Sequence, residues 1–209
     1  MDFHAARTNM VESQVRTNDV TDFEIQGAMR RVERERFCAP ARAFAAYAEV
    51  EPEIAPGRFL MQPRDVSKLM QLARPRAGET ALAIAAPYAA AVLASIGLKV
   101  VAQEGDARAV AVLAPALADY GVELVTADLT APARRGVDLI ICEGSVAQVP
   151  ETWIAALAPD GRLAAVERNG PVGRARLWVR TTSGASAGHG FDSTPPHLPG
   201  FAPLPAFQF

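Results

Sequence analysis

Apolar and polar positions follow two different rhythms along this chain, and the change falls near Thr80. Before it the spacing is helical. Met10, Val11 and Val15 share one face, and a second helix opens at VTDFEIQGAMRRV, where Thr21 and Glu24 have capping-box spacing and Ile25, Met29 and Val32 form a stripe. The segment CAPARAFAAYAEVEPEIAPG is rich in proline and alanine and predicts an irregular linker closing at Pro56-Gly57, after which DVSKLMQLA predicts another helix beyond Gln62-Pro63. From Thr80 onward short apolar strands alternate with helices. TALAIA, LKVVAQ, VELVTA, VDLIIC and RLAAVE read as buried strands, and PYAAAVLASIG, DARAVAVLAPALADYG and PETWIAALAPDG as helices, with Pro115 expected to kink or shorten the second. Such near-continuous apolar strands, alternating with helices, predict a doubly wound, mostly parallel α/β sheet covered on both faces. Past Asn169-Gly170, RARLWVRTT alternates as a strand and TSGASAGHG reads as a flexible turn. The ending FDSTPPHLPGFAPLPAFQF reads as an extended tail packed through Phe191, Leu198, Phe201, Leu204, Phe207 and Phe209, or else as a proline-rich recognition segment.

A length of 209 residues suits one substantial α/β domain, divided as residues 1–57, an N-terminal helical segment and linker, and 58–209, the α/β part with its tail, together one compact unit. With 50% hydrophobic and 21% charged residues the chain can bury a true core. Its 21 basic and 23 acidic residues nearly cancel, which supplies no field for nucleic acid and no polybasic membrane anchor. Ala81–Leu98 carries no charge and is long enough to raise a membrane span, but Pro87 interrupts it and Ser95 and Gly97 close it, so a buried strand plus helix is expected. The charges in MDFHAARTNMVESQ fall where a secretory signal needs an apolar core, which leads to a cytoplasmic expectation. Cys38 and Cys142 are far apart beside apolar residues and read as buried, inert thiols; His4, His189 and His197 form no metal-ligand spacing.

A doubly wound sheet binds ligands outside the carboxyl ends of its strands, where glycines in the first strand-to-helix turn let the backbone approach and a carboxylate ending the second strand takes ribose hydroxyls. Glu104, ending KVVAQE, is placed for the second role. The first role is unfilled, because ETALAIAAPYAAAVLA has no glycine. Elsewhere, Glu33 and Glu35 alternate with Arg34 and Arg36 and read as a solvated charged turn, and Ser186 in GASAG lacks the strand-to-helix setting of a nucleophile.

The segments MVESQVRTNDVTD, VERERFCAPARAFAAYAEVE and GRFLMQPRDVSKLMQLA, the strand-rich core and the ending LPGFAPLPAF together resemble the protein-L-isoaspartate O-methyltransferase family, in particular its bacterial branch with an LMQP- or LMEP-like turn. The resemblance runs over nearly the whole chain. It implies an S-adenosylmethionine-dependent fold and methyl transfer to the α-carboxyl of isoaspartyl residues in damaged proteins. It also implies that Asp128 sits near the adenine, that Glu104 belongs to the cofactor site, and that Gln62, Pro63 and Glu143 border the substrate cleft.

Two departures from the family pattern stand out. Between Ile84 and Tyr88 there are only Ala85, Ala86 and Pro87, two residues short of the family's G-x-G-x-G turn, and Ala83 replaces the acidic strand residue. Met61 occupies the position where many members carry a serine or threonine hydroxyl, leaving no catalytic residue assigned; Ser67 on the next helix reads as a surface or packing residue. Three functions compete: a binding or scaffold protein without cofactor and with an unknown protein partner, an active carboxyl methyltransferase using S-adenosylmethionine on isoaspartyl proteins, or an enzyme for another small ligand.

Overall fold

The change of rhythm near Thr80 separates two kinds of backbone in the structure, a computed structural model that describes residues 1–182 and 184–203. Before it, α1 (Phe3–Met10) continues into a π-helical turn (Val11–Val15) and a 3-10 turn (Arg16–Asn18). α2 (Phe23–Arg31) is capped by Asp22 rather than by Thr21: Asp22 Oδ1 accepts the N–H groups of Glu24 at 2.9 Å and Ile25 at 3.1 Å. A carboxylate at this end also meets the positive pole of the helix, which a threonine hydroxyl does less well. The expected irregular linker is in fact built from two 3-10 segments (Arg34–Phe37 and Pro40–Ala45) and a small hairpin, β1 (Glu53–Ala55) with β2 (Arg58–Phe59). Next comes α3 (Pro63–Ala73), with proline at its first position.

Beyond Thr80 follow β3 (Thr80–Ile84), α4 (Pro87–Ile96), β4 (Lys99–Glu104), α5 (Ala107–Asp119), β5 (Glu123–Thr126), β6 (Val137–Val146), α6 (Glu151–Ala156), β7 (Leu157–Glu167), β8 (Arg174–Thr181) and β9 (Gly184–Asp192). They form one seven-stranded sheet in the order β5-β4-β3-β6-β7-β8-β9, parallel from β5 to β7 and antiparallel at β8 and β9. The chain passes from β3 to β4 on one side and returns to β6 on the other, so the topological switch lies at the carboxyl ends of β3 and β6. Three local expectations are corrected. α5 runs through Pro115, which removes one helical bond close to the helix end without stopping it. α6 ends at Ala156, because Pro159 favours extended backbone at the residue before it and the chain turns directly into β7. TSGASAGHG is mostly an edge strand, β9, held by backbone pairing to β8; its small exposed residues leave no hydrophobic alternation to read.

The sheet separates two apolar layers. Ala81 and Ala83 of β3 face one layer, with α4 and the N-terminal helices, and Leu82 and Ile84 face the other, with Trp153, Trp178 and Leu198. Alanines on β3 and along α4 leave room for helix and strand to approach closely. Ala81–Leu98 thus folds as buried strand plus helix, and no helix among the described residues is long and apolar enough to cross a membrane. Both cysteines are buried and free, and burial pushes the thiol of Cys38 up to about 11 and that of Cys142 up to about 12, as inert thiols require. In the tail Leu198 is buried and Phe201 packs on Trp153 with ring centroids 5.7 Å apart; Leu204, Phe207 and Phe209 lie outside the described residues.

Trp153 is fully buried and its indole N–H donates to the Leu129 carbonyl at 2.7 Å. Trp153→Ala should lower unfolding stability by ~3–5 kcal/mol, read by urea denaturation followed by circular dichroism.

Candidate functional site

At the carboxyl end of β4, Glu104 meets an arginine from the neighbouring hairpin. Arg58 Nη2 donates to Glu104 Oε2 at 2.7 Å and Arg58 Nε lies 3.2 Å from both carboxylate oxygens. Each residue is 2% exposed. Glu104 Oε1 also accepts the N–H groups of Gly105 at 2.9 Å and Asp106 at 3.3 Å, while Arg58 Nη2 donates to the Ala85 carbonyl at 3.1 Å. One side chain therefore ties the hairpin to both β4 and the β3–α4 turn. A solvated loop acid is the wrong description of Glu104, because Arg58 offsets the cost of burying its charge.

The β3–α4 turn keeps a conformation suited to glycine although it has none. Ala85 stands at φ 49°, and its N–H donates to the Gln103 carbonyl at 2.8 Å. Pro87 contributes no N–H at the first turn of α4, and the Ala89 N–H is taken by Glu143 Oε1 at 2.7 Å. Glu143 is wholly buried; burial raises the pKa of its carboxyl, and Oε2 has no partner. Ala83 lies on β3, buried in the core.

Arg34, expected in a solvated turn, is instead completely buried. The 3-10 segment Arg34–Phe37 points it inward, where Nε donates to the Ala46 carbonyl at 2.8 Å, Nη2 donates to the Met61 carbonyl, and the guanidinium lies 4.7 Å from the Tyr88 ring centroid. Neither Arg34 nor Arg58 is marked as a site residue by motif or spacing. Both pair across long sequence separations with partners that only folding brings near.

At the turn expected to border the substrate, Met61 is buried and offers its carbonyl to Arg34, Gln62 donates to Glu51 Oε1 at 2.9 Å, and Pro63 begins α3. Ser67 is buried and donates to the Arg64 carbonyl at 2.7 Å, a packing role. The space between this turn and β6 is occupied by the chain's own later segment. Ser145 N–H donates to the Pro196 carbonyl at 3.0 Å and Leu198 N–H to the Ser145 carbonyl at 2.9 Å. Gly144 stands at φ 120°, a conformation that disfavours any side chain, and a Cβ there would lie 2.8 Å from Leu198 Cδ2 and require that side chain to shift.

Beside Arg58 and Glu104 a pocket of about 460 Å³ remains, lined also by Asp106, Arg108, Asp128 and Phe201. Asp128 is exposed; its Oδ1 accepts the N–H and hydroxyl of Thr130, each at 2.8 Å, and these bonds lower its pKa. Asp106 caps α5 and pairs with Arg108 at 2.7 Å, the arginine being the main reason its carboxyl is held at about 2. Among the described residues no group of histidine, cysteine and carboxylate side chains could hold a metal ion. This pocket lies at the carboxyl end of β4, on the edge of the sheet where doubly wound folds hold their ligands.

A model of the Protein-L-isoaspartate(D-aspartate) O-methyltransferase family matches residues 5–177. The chain belongs to that family. It is 35% identical over 164 residues to the protein-L-isoaspartate O-methyltransferase of Methylorubrum extorquens (strain PA1), covering 76% of this chain and 72% of the relative. The Methylorubrum populi protein of the same name is 34% identical over 165 residues, with 76% and 78% covered. Among solved structures, a protein-L-isoaspartate O-methyltransferase matches with TM-score 0.78 at 19% identity, over 94% of this chain and 67% of that one. A Plasmodium falciparum structure described as a putative protein-L-isoaspartate O-methyltransferase in complex with S-adenosyl-L-homocysteine matches with TM-score 0.78 at 15% identity, covering 92% and 97%. These structural likenesses establish the methyltransferase fold.

In this family member, Ala85→Gly should stabilise the fold by up to ~1 kcal/mol, read as a rise in Tm, because glycine adopts φ 49° without a Cβ penalty. For Glu143 the native pKa lies above the ordinary value of 4.5, so the native state holds the extra proton in that interval and stability falls as pH rises through it. Glu143→Gln cannot titrate, so its stability relative to the wild type should climb with pH above ~4.5 in paired denaturation curves; a flat difference would contradict the raised pKa.

Proposed function

We propose that this member of the isoaspartyl methyltransferase family has lost productive binding of S-adenosylmethionine and acts as a binding or scaffold protein for a protein partner. The observation that carries the reading is the buried Arg58–Glu104 pair. Glu104 is the acid that the family pattern offers to a ribose, and its carboxylate is already bonded by a guanidinium and two backbone N–H groups. At the turn itself, Ala85 and Ala86 carry side chains where close approach needs glycine, Pro87 lacks an N–H, and Glu143 engages the Ala89 N–H. The residues present do not fit the donor at these positions. At ~1.4 kcal/mol per tenfold, losing the ribose contact and two or three backbone contacts moves micromolar affinity beyond millimolar.

The second reading, an active S-adenosylmethionine-dependent carboxyl methyltransferase for isoaspartyl proteins, is favoured by one feature: the 460 Å³ pocket with Asp128 exposed at its wall. Calorimetry with S-adenosylhomocysteine separates the two, using a glycine-loop family member as a positive control. The expected result is no heat of binding to this protein up to millimolar ligand. Micromolar binding that weakens in Glu104→Gln would overturn the binding-protein reading and call for a methylation assay on isoaspartyl peptide.

A further inference from the structure

Where β7 turns into β8, the sequence RNGPVGRAR places three arginines within a short span. The two-residue period of β8 puts Arg174 and Arg176 on the same face, beside the end of β6. Together with Gln148, Glu167, Asn169 and Val172 they line a groove of about 430 Å³. Glu167 is the carboxylate of the groove, and it is committed: Oε1 accepts the Val149 N–H at 3.0 Å and Oε2 lies 3.7 Å from Arg176 Nη1. Arg168 spends its donors on the carbonyls of Pro195 at 2.9 Å and Gly170 at 3.4 Å, so its charge is not neutralised. Among the described residues neither Arg168 nor the exposed Arg174 has a carboxylate oxygen within 4.0 Å. Asp192, the cross-strand neighbour of Arg174 on β9, has its Oδ1 3.9 Å from His189 instead. The excess charge is felt nearby: after burial, Arg168 is the next reason the His197 pKa is lowered.

We propose that this groove is a docking surface for a carboxylate-rich segment of a partner protein. Charge complementarity names the occupant: the groove carries the exposed, unpaired Arg174 beside Arg176, whose one carboxylate neighbour among the described residues is Glu167, and Arg168 stands next to it without a carboxylate, so carboxylates that can take a guanidinium's planar fork are favoured. Amide donors from Gln148 and Asn169 at the wall, and exposed Val172 at the rim, suit a peptide rather than a bare ion. The groove also adjoins the Ser193–Phe201 segment, through Arg168 and the Pro195 carbonyl, so an occupant would lie next to the filled substrate cleft. This role rests on the binding-protein reading above.

The test is fluorescence anisotropy with a labelled peptide of alternating Glu and Asp, its Gln/Asn counterpart, a phosphoserine peptide and a single-stranded oligonucleotide, against the full-length protein. The acidic peptide should bind at least tenfold more tightly than the Gln/Asn peptide and weaken as salt is raised. Arg174→Glu, an exposed change compatible with folding, should reduce that affinity at least fivefold, whereas Arg135→Glu at the opposite end of the sheet should leave it unchanged. Equal losses in the two variants, or no preference for the acidic peptide, would overturn the proposal. So would tighter binding of the phosphopeptide or oligonucleotide, which would assign the groove to a different anion. S-adenosylhomocysteine calorimetry on the same sample keeps the two readings apart, because donor binding sinks the proposed function and peptide silence sinks only the groove.

Discussion

A single buried ion pair joins the three pieces of chain that surround the switch point. Arg58 comes from the hairpin, Glu104 from the end of β4, and the Ala85 carbonyl that Arg58 also reaches comes from the β3–α4 turn. Two charges that are each 2% exposed cannot be separated cheaply: removing one partner would leave the other buried and unpaired, at a cost of ~3–5 kcal/mol. The pair therefore constrains where the hairpin sits, how far the turn can open, and what remains of the carboxylate for an external ligand.

The other polar contacts around the turn point the same way. A helix N-terminus and a strand-end acid are the two features by which such folds hold a nucleotide ligand. Here Glu143 supplies an acceptor to the α4 N-terminus and Arg58 supplies a donor to Glu104, so groups of the protein stand at both places. Beside the Leu60–Met61 turn the Ser193–Phe201 segment pairs with β6, with Leu198 set close against Gly144, whose φ of 120° favours glycine. The apolar layers beneath are ordinary and complete, which is why changes at the turn need not disturb the fold.

Family descent and donor binding rest on different residues of the chain. Similarity over residues 5–177 establishes descent and fold. Whether the donor binds depends on a few backbone positions that overall identity weighs lightly. Alanine for glycine alters similarity little, yet adds a Cβ at the point where the backbone must approach the ligand.

Much of the fold is legible in the order of residues. The strands β3, β4 and β6 and the second half of β7 are near-continuous apolar runs, and a parallel sheet covered on both faces follows from that pattern. β5, expected to be buried, is instead the sheet's edge, with its residues exposed or half-buried because no strand among the described residues pairs on its outer side. The missing glycines and the acid at position 104 are likewise visible in order along the chain. Environment is not. Arg34 sits among alternating charges that look solvated, and becomes fully buried because a 3-10 turn aims it under Ala46 and Met61. β9 has no hydrophobic rhythm because its hydrogen bonds, not its side chains, hold it in place. The succession of elements and the chemistry absent from the turn are properties of the sequence, since both depend on neighbours a few residues apart. That Arg58 answers Glu104 across 46 positions is a property of the folded chain, because charge pairing at a buried site depends on distance in space and on exclusion of water.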